Sequence, residues 1–175
     1  MGSLYPVPGW QRALDRADLT GLAARLTAER VAAGLCVYRQ ESPEHRKVNR
    51  GLAATARSII PDPVQASIIA AGDAGHPAAR HDLEAVLDRL PPEARRRLRI
   101  VLSGAGAGGD QSYAQMLADT MGSHIIAPAG TWTATPDGRL RAIVAGRLEA
   151  ADSWPRFSPG HQPGPFWEDP GLTAT

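Results

Sequence analysis

The sequence predicts an α/β domain with a mainly parallel central sheet. Two continuous apolar runs, QASIIAAG at residues 65–72 and RIVLSG at residues 99–104, have the length of strands that are covered on both faces. Segments with helical periodicity, such as HDLEAVLDRL, lie between and after these runs, and strands that alternate with helices are typical of parallel sheets. The chain has 175 residues, which is the size of a single domain.

The first part of the domain, residues 1–64, is predicted to hold helices and the first strand. Asp18 suits the N-cap of a helix over residues 19–34, which Gly34 would end. A short strand, LCVYR, follows this helix. The segment SPEHRKVNRGLAATARSII then has apolar residues at helical spacing, which predicts a second helix. The prolines of the following PDP sequence would end this helix.

The core of the domain, residues 65–149, contains the two apolar strands and the elements that follow them. The segment DQSYAQMLADTMG is predicted to form a helix that Asp110 or Ser112 caps and Gly122 ends. A third strand, HIIAPAG, precedes a C-terminal β-hairpin, TWTATPDGRLRAIV, around a Pro-Asp-Gly turn. The proline-rich tail, residues 150–175, is predicted to wrap the surface as an ordered loop that Trp and Phe side chains hold.

Charge and composition exclude several classes of partner. The formal net charge is +1, so no strong field favours nucleic acid or an anionic membrane. No apolar run reaches the roughly 20 residues of a membrane span, and the opening MGSLYPVPGW lacks the basic and apolar regions of a signal peptide. We therefore expect a cytoplasmic protein. Because Cys36 is the only cysteine and no histidine spacing suggests zinc, we expect neither a metal nor another cofactor.

The junction RIVLSGAGAGGDQSYAQML is the strongest functional signal, because four glycines fall within six residues between a strand and a helix. Gly104, Gly106 and Gly109 match the G-x-G-x-x-G pattern that cradles a dinucleotide pyrophosphate. The next strand, HIIAPAG, has no acidic residue at its end to hold the ribose, which disfavours a nucleotide. Two other interpretations remain open: the glycines flank the position of a nucleophile, or they let chain segments pack closely.

The strand and loop pairs IIAAGDAGH and RIVLSGAGAGG resemble caspase-fold cysteine peptidases, and more closely the caspase-like and CHAT-type domains of large bacterial toxin-type proteins. The resemblance covers roughly residues 65–160 and continues through SYAQMLADTMGSHIIAPAGTWTATPDGRLRA and WPRFSPG. It implies a caspase-like three-layer fold and hydrolysis of peptide bonds through a thioester. The implied site has residue 105 as nucleophile, His76 as general base, and backbone N–H groups at Gly104 and Gly106 near the oxyanion.

The residues that would carry this chemistry depart from the family pattern. Ala105 occupies the position of the cysteine, and a methyl group cannot become a thiolate, so the sequence predicts no peptidase activity. His76 lies several residues beyond the apolar run, and Pro77 rather than glycine follows it. Strict alignment of the strand ends brings Gly72 or Asp73 nearer to the histidine position.

Two origins of Ala105 remain open from the sequence. Either a cysteine was recently replaced, or the nucleophile was lost naturally and left a pseudoprotease that binds a peptide or a partner domain in the same groove. On either hypothesis Asp73 and Trp132 are candidate substrate-binding residues. The resemblance implies that the partner is a peptide, a protein or the rest of a larger polypeptide.

Overall fold

A computed structural model describes residues 9–22, 26–39 and 43–160. Its helices are α1 (Gly9–Asp15), α2 (Pro43–Ser58), α3 (Pro77–Leu87), α4 (Pro92–Arg95) and α5 (Tyr113–Met121). Its strands are β1 (Leu26–Val31), β2 (Gly34–Arg39), β3 (Ala66–Asp73), β4 (Arg97–Ser103), β5 (His124–Ile126), β6 (Thr131–Ala134), β7 (Leu140–Val144), β8 (Arg147–Ala150) and β9 (Arg156–Phe157).

These strands form a mixed α/β structure with two sheets, as the alternation of elements predicts. The larger sheet has six strands in the order β1-β2-β3-β4-β5-β9, and its four central strands are parallel. The edge strands β1 and β9 are antiparallel to their neighbours. The smaller sheet is an antiparallel meander of β6, β7 and β8. The predicted hairpin is therefore confirmed, and β8 extends it by one strand.

The two apolar runs form β3 and β4, and both faces of these strands are covered. Ile68 and Ile100 belong to a core cluster that includes α1, α3 and α5. Ile69 and Val101 point the opposite way, into a second cluster with α2 and the meander. Continuous apolar sequence is required here because neither face meets water.

Helices α2 and α3 lie on opposite faces of the larger sheet, and this arrangement positions a crevice. The chain steps in one direction across the sheet from β2 to β5, and α3 and α5 share a face that α2 does not. The β2–α2–β3 connection therefore has the opposite hand to the two connections that follow it. At least one of these connections therefore departs from the right-handed crossover that is usual between parallel strands.

The predicted helix over residues 19–34 is wrong, because residues 26–31 form β1 and pair with β2. Asp18 accepts hydrogen bonds on Oδ1 from the backbone N–H and the hydroxyl of Thr20, which makes a turn instead of a helix cap. Gly34 has a φ of +151°, and an added Cβ would lie 2.1 Å from the carbonyl oxygen of Ser67. Pairing along β2 satisfies the backbone groups of this segment and outweighs its helical spacing.

The last described residues join the body of the protein. Trp154 and Phe157 are buried, as predicted for the tail, and Phe157 pairs with β5 through β9. The remainder of the predicted tail, with Phe166 and Trp167, lies outside the described residues. In the part of the chain that is described, no helix is both long and apolar enough to cross a bilayer.

Candidate functional site

The glycine loop after β4 is closed by hydrogen bonds to its own neighbourhood. The backbone N–H of Gly104 donates to the carbonyl oxygen of Gly130 at 3.0 Å, and the N–H of Gly106 donates to that of Pro128 at 2.8 Å. The N–H of Ala105 donates to the carbonyl oxygen of Leu102 at 3.1 Å. The two glycines that the sequence predicts as oxyanion donors therefore have their N–H groups already in use.

Gly106 is required by the close approach of a second chain segment. A Cβ at this position would lie 2.5 Å from the carbonyl oxygen of Ala127, a distance that forces the backbone to move. Gly104 has a φ of +76°, which a residue with a side chain rarely adopts. These observations favour the packing interpretation of the loop, with the segment after β5 as the packing partner.

Ala105 presents its methyl group to the core and not to solvent. Its exposed fraction is 0%, and it belongs to the cluster on the α3 and α5 face of the sheet. The carbonyl oxygen of Ala105 accepts a hydrogen bond from the N–H of Ala114 at 2.8 Å, which ties the loop to α5. A side chain at position 105 is therefore held away from a solvent-filled cleft.

Asp73 in the β3 loop lies beside the glycine loop. Asp73 pairs with Ser103 across β3 and β4, and its Oδ2 would lie 3.5 Å from a Cβ placed on Gly104. Asp73 Oδ1 accepts a hydrogen bond from the N–H of Gly75 at 2.7 Å. His76 is exposed at the N-cap position of α3, and its side chain makes no capping hydrogen bond.

Trp132 reaches the same strand end through its backbone. Its N–H donates to Ser103 Oγ at 3.3 Å, and its half-buried side chain packs against the cluster on the α2 face. The structure therefore brings together Asp73, Ser103 and Trp132 at the end of β4. The side chain of Trp132 stabilises the meander against the larger sheet.

An open crevice lies one strand away, at the carboxyl ends of β2 and β3. The chain leaves these neighbouring strands toward opposite faces of the sheet, which is the position where open α/β sheets bind ligands. The crevice has a volume of about 390 Å³, the size of a small ligand pocket. Its walls include Val37, Val48, Ala70, Gly72, Ala78 and Asp82.

Two polar contacts hold the shape of this crevice. Arg39 at the end of β2 makes a bidentate ion pair with Asp82 of α3, with Nη2–Oδ1 and Nε–Oδ2 distances of 2.5 and 3.2 Å. Buried Asn49 of α2 donates from Nδ2 to the carbonyl oxygen of Arg39 at 2.9 Å. These contacts connect α2, β2 and α3, so the two helices are fixed apart across the sheet edge.

Sequence reasoning missed this crevice because its position depends on the face that α2 covers. The four parallel strands end at one edge of the sheet, and the loops after β3 and β4 carry the polar and glycine-rich signals in the sequence. The end of β2 carries no comparable signal. The amphipathic pattern of α2 shows which side of the helix is apolar, but it does not show which face of the sheet the helix covers.

The glycine loop is also poorly suited to a nucleotide. The N–H groups of Gly104 and Gly106 already donate to backbone carbonyls and are not free to bind a phosphate. In addition, a 3₁₀ turn at Gly109–Gln111 separates the loop from the N-terminus of α5. The first turn of α5 is capped by Ser112, whose Oγ accepts from the N–H of Gln115 at 3.0 Å. This confirms one of the two predicted caps. Within residues 9–22, 26–39 and 43–160, no group of three or more His, Cys, Asp or Glu could hold a metal ion.

Comparisons of the chain with protein-family models, curated proteins and solved structures found no match. The class of the protein is therefore defined by its own geometry. It is a mixed α/β protein with a mostly parallel six-stranded sheet, an antiparallel three-stranded sheet and a crevice at the carboxyl edge.

Proposed function

We propose that this chain is a caspase-like domain that binds an extended segment of a partner protein without cleaving it. The caspase-like assignment is supported by the adjacent parallel strands β3 and β4, which end in the Asp73 loop and the glycine loop at one edge. The observation that carries the binding function is the open crevice where the chain leaves β2 and β3 toward opposite faces.

Three properties of the glycine loop support the absence of cleavage. The nucleophile position holds a methyl group, that methyl group is buried, and the neighbouring N–H groups donate to backbone carbonyls. Peptide hydrolysis by the family route needs a thiolate that reaches the substrate and free N–H groups that stabilise the oxyanion. The loop instead packs against the segment after β5 at the carboxyl edge of the sheet.

The binding function is tested by selecting peptides from a displayed random library on the full chain. We expect selected peptides to shift the amide NMR signals of Gly72 and Ala78, which line the crevice. The variant Ala78→Trp is expected to abolish binding, because Ala78 is exposed at the crevice wall and the indole would fill the space. Thr120→Trp on the exposed side of α5 is the matched control and is expected to bind normally.

Selection of no peptide, or binding that Ala78→Trp leaves intact, would overturn the binding function. The same peptides then test cleavage in Ala105→Cys and in Asp73→His/Ala105→Cys, after circular dichroism has verified that each variant folds. We expect no turnover of peptide and no self-processing in either variant. Turnover by either one would show that the loop opens to substrate and would refute the non-catalytic part of the proposal.

A further inference from the structure

A second cavity, along the surface of α2, adjoins the crevice. This second cavity has a volume of about 380 Å³, and both cavities are lined by Tyr38 and Asn49. We call the two together the α2 groove. One end of the groove is mainly apolar, with Val48, which is 65% exposed, at its mouth.

The other end of the α2 groove is lined by three arginines. Arg57 is engaged, since its Nε and Nη2 bind the carboxylate of Glu29 at 2.7 and 3.0 Å. Arg46 and Arg50 are exposed, and no carboxylate of the described residues forms an ion pair with either. Residues four apart on a helix are neighbours, so these two like charges repel each other.

The groove therefore offers an apolar recess next to positive charge that no carboxylate of the described residues neutralises. A basic or neutral segment would leave the repulsion between Arg46 and Arg50 in place, whereas carboxylates laid along α2 would relieve it. An apolar side chain that enters the crevice would cover Val48 and the alanines of the wall. Arginine is also the cation that best matches the planar geometry of a carboxylate.

Resting on the proposed function, we infer that the partner segment is an acidic peptide with one apolar anchor. The anchor enters the crevice between α2 and α3, and the flanking Asp or Glu side chains bind Arg46 and Arg50.

The probes are fluorescein-labelled heptapeptides with a central leucine and three flanking residues on each side, either all Glu, all Gln or all Lys. A fourth peptide has Glu flanks and a central alanine. We expect fluorescence anisotropy to show saturable binding of the Glu–Leu peptide that weakens as salt is added. The Gln, Lys and central-alanine peptides are expected to bind much more weakly, and an oligothymidylate of equal length is expected not to bind.

Charge reversal on the chain locates the interaction. Arg46→Glu/Arg50→Glu is expected to weaken binding of the Glu–Leu peptide about tenfold or more, since two exposed pairs are lost and repulsion replaces them. The control Arg96→Glu/Arg147→Glu makes the same change in net charge at exposed residues outside the groove, and is expected to leave binding unchanged.

The outcomes separate this inference from the proposed function. Equal loss of binding in both double variants, preference for the Lys peptide, or binding of the oligothymidylate would overturn the acidic-segment inference. If library peptides bind at the crevice and Arg46→Glu/Arg50→Glu leaves their affinity unchanged, the binding function stands and the inference fails. If no library peptide binds at all, the proposed function itself fails.

Discussion

In the glycine loop, the absence of a side chain at Gly106 allows another backbone segment to pack closely. Gly106 is buried, and its N–H donates a hydrogen bond to the carbonyl oxygen of Pro128. Because Gly106 has no Cβ, the carbonyl group of Ala127 can approach its backbone closely. A residue with a side chain must push two backbone segments apart, and both belong to the packed carboxyl edge of the larger sheet. The glycine-rich pattern therefore reports a packing requirement at this position.

We expect Gly106→Ala to lower the free energy of unfolding by about 1–3 kcal/mol, the usual cost of overpacking. Gly51→Ala is the matched control, because Gly51 lies within α2 with nothing within 4 Å of an added Cβ. This control is expected to raise the free energy of unfolding by about 0.5–1 kcal/mol, since alanine is the better helix former. Urea denaturation measures both, and equal effects of the two substitutions would contradict the packing argument.

At the scale of elements, α5 connects the glycine loop to β5 and has well-defined ends. Ser112 caps its first turn, and Gly122 ends it with a φ of +66° while its N–H donates to the carbonyl oxygen of Ala118. Ala105, at the other end of the loop, is held by the N–H of Ala114 in the first turn of this helix. The start of α5 therefore determines where the loop can lie.

We expect Ser112→Ala to lower the free energy of unfolding by about 1 kcal/mol, because the N–H of Gln115 loses its acceptor. Ser112→Thr keeps the hydroxyl group and is expected to retain most of the stability. Urea denaturation of the three proteins measures the difference. A Ser112→Ala variant with the same free energy of unfolding as the native chain would show that the cap does not contribute to stability.

For the whole molecule, two buried acids make stability sensitive to alkaline pH. Burial raises the pKa of the Cys36 thiol from 9.0 to about 12. Burial is also the main cause that raises the pKa of Tyr113, and the nearby carboxylate of Glu84 raises it further. The Tyr113 hydroxyl donates a hydrogen bond to Glu84 Oε2 at 2.7 Å. Both groups stay protonated in the folded chain at pH values where the unfolded chain has begun to ionise.

The sign of the pH effect follows from these raised pKa values. Below the unfolded pKa of Cys36, near 9, the thiol is neutral in both states, and its contribution is fully present. Above that value protons leave the unfolded state first, so the free energy of unfolding is expected to fall as the pH rises toward about 12. Urea denaturation at a series of alkaline pH values should show this fall.

The double variant Cys36→Ala/Tyr113→Phe removes both ionisable groups. Its free energy of unfolding is expected to decline less steeply with pH than that of the native chain, whatever its stability at neutral pH. An identical slope in the two proteins would mean that other groups cause the alkaline loss.

Much of the fold was predictable because local pattern was sufficient for it. The continuous apolar runs of β3 and β4 predict strands that are covered on both faces. Ser112 and Gly122 are residue types that favour the start and the end of a helix, and they begin and end α5. The Pro-Asp-Gly turn likewise predicted the hairpin of β6 and β7, whose turn is closed by the N–H of Gly138 donating to Thr135.

Other features needed contacts between distant residues. Residues 26–31 form a strand only because β2 lies beside them, and β2 in turn needs Gly34 against Ser67. The burial of Ala105 and the engagement of the N–H groups at Gly104 and Gly106 depend on the segment after β5, which is remote in sequence. The loop pattern alone was therefore compatible with a catalytic site, a nucleotide site or close packing.

Periodicity and turn chemistry were thus enough to establish an α/β chain with parallel strands whose loops meet at one edge, because these signals act within a few residues. The face of the sheet that α2 covers, the crevice that results and the burial of position 105 were settled by packing. These depend on which distant apolar surfaces meet, and no short stretch of sequence contains that information.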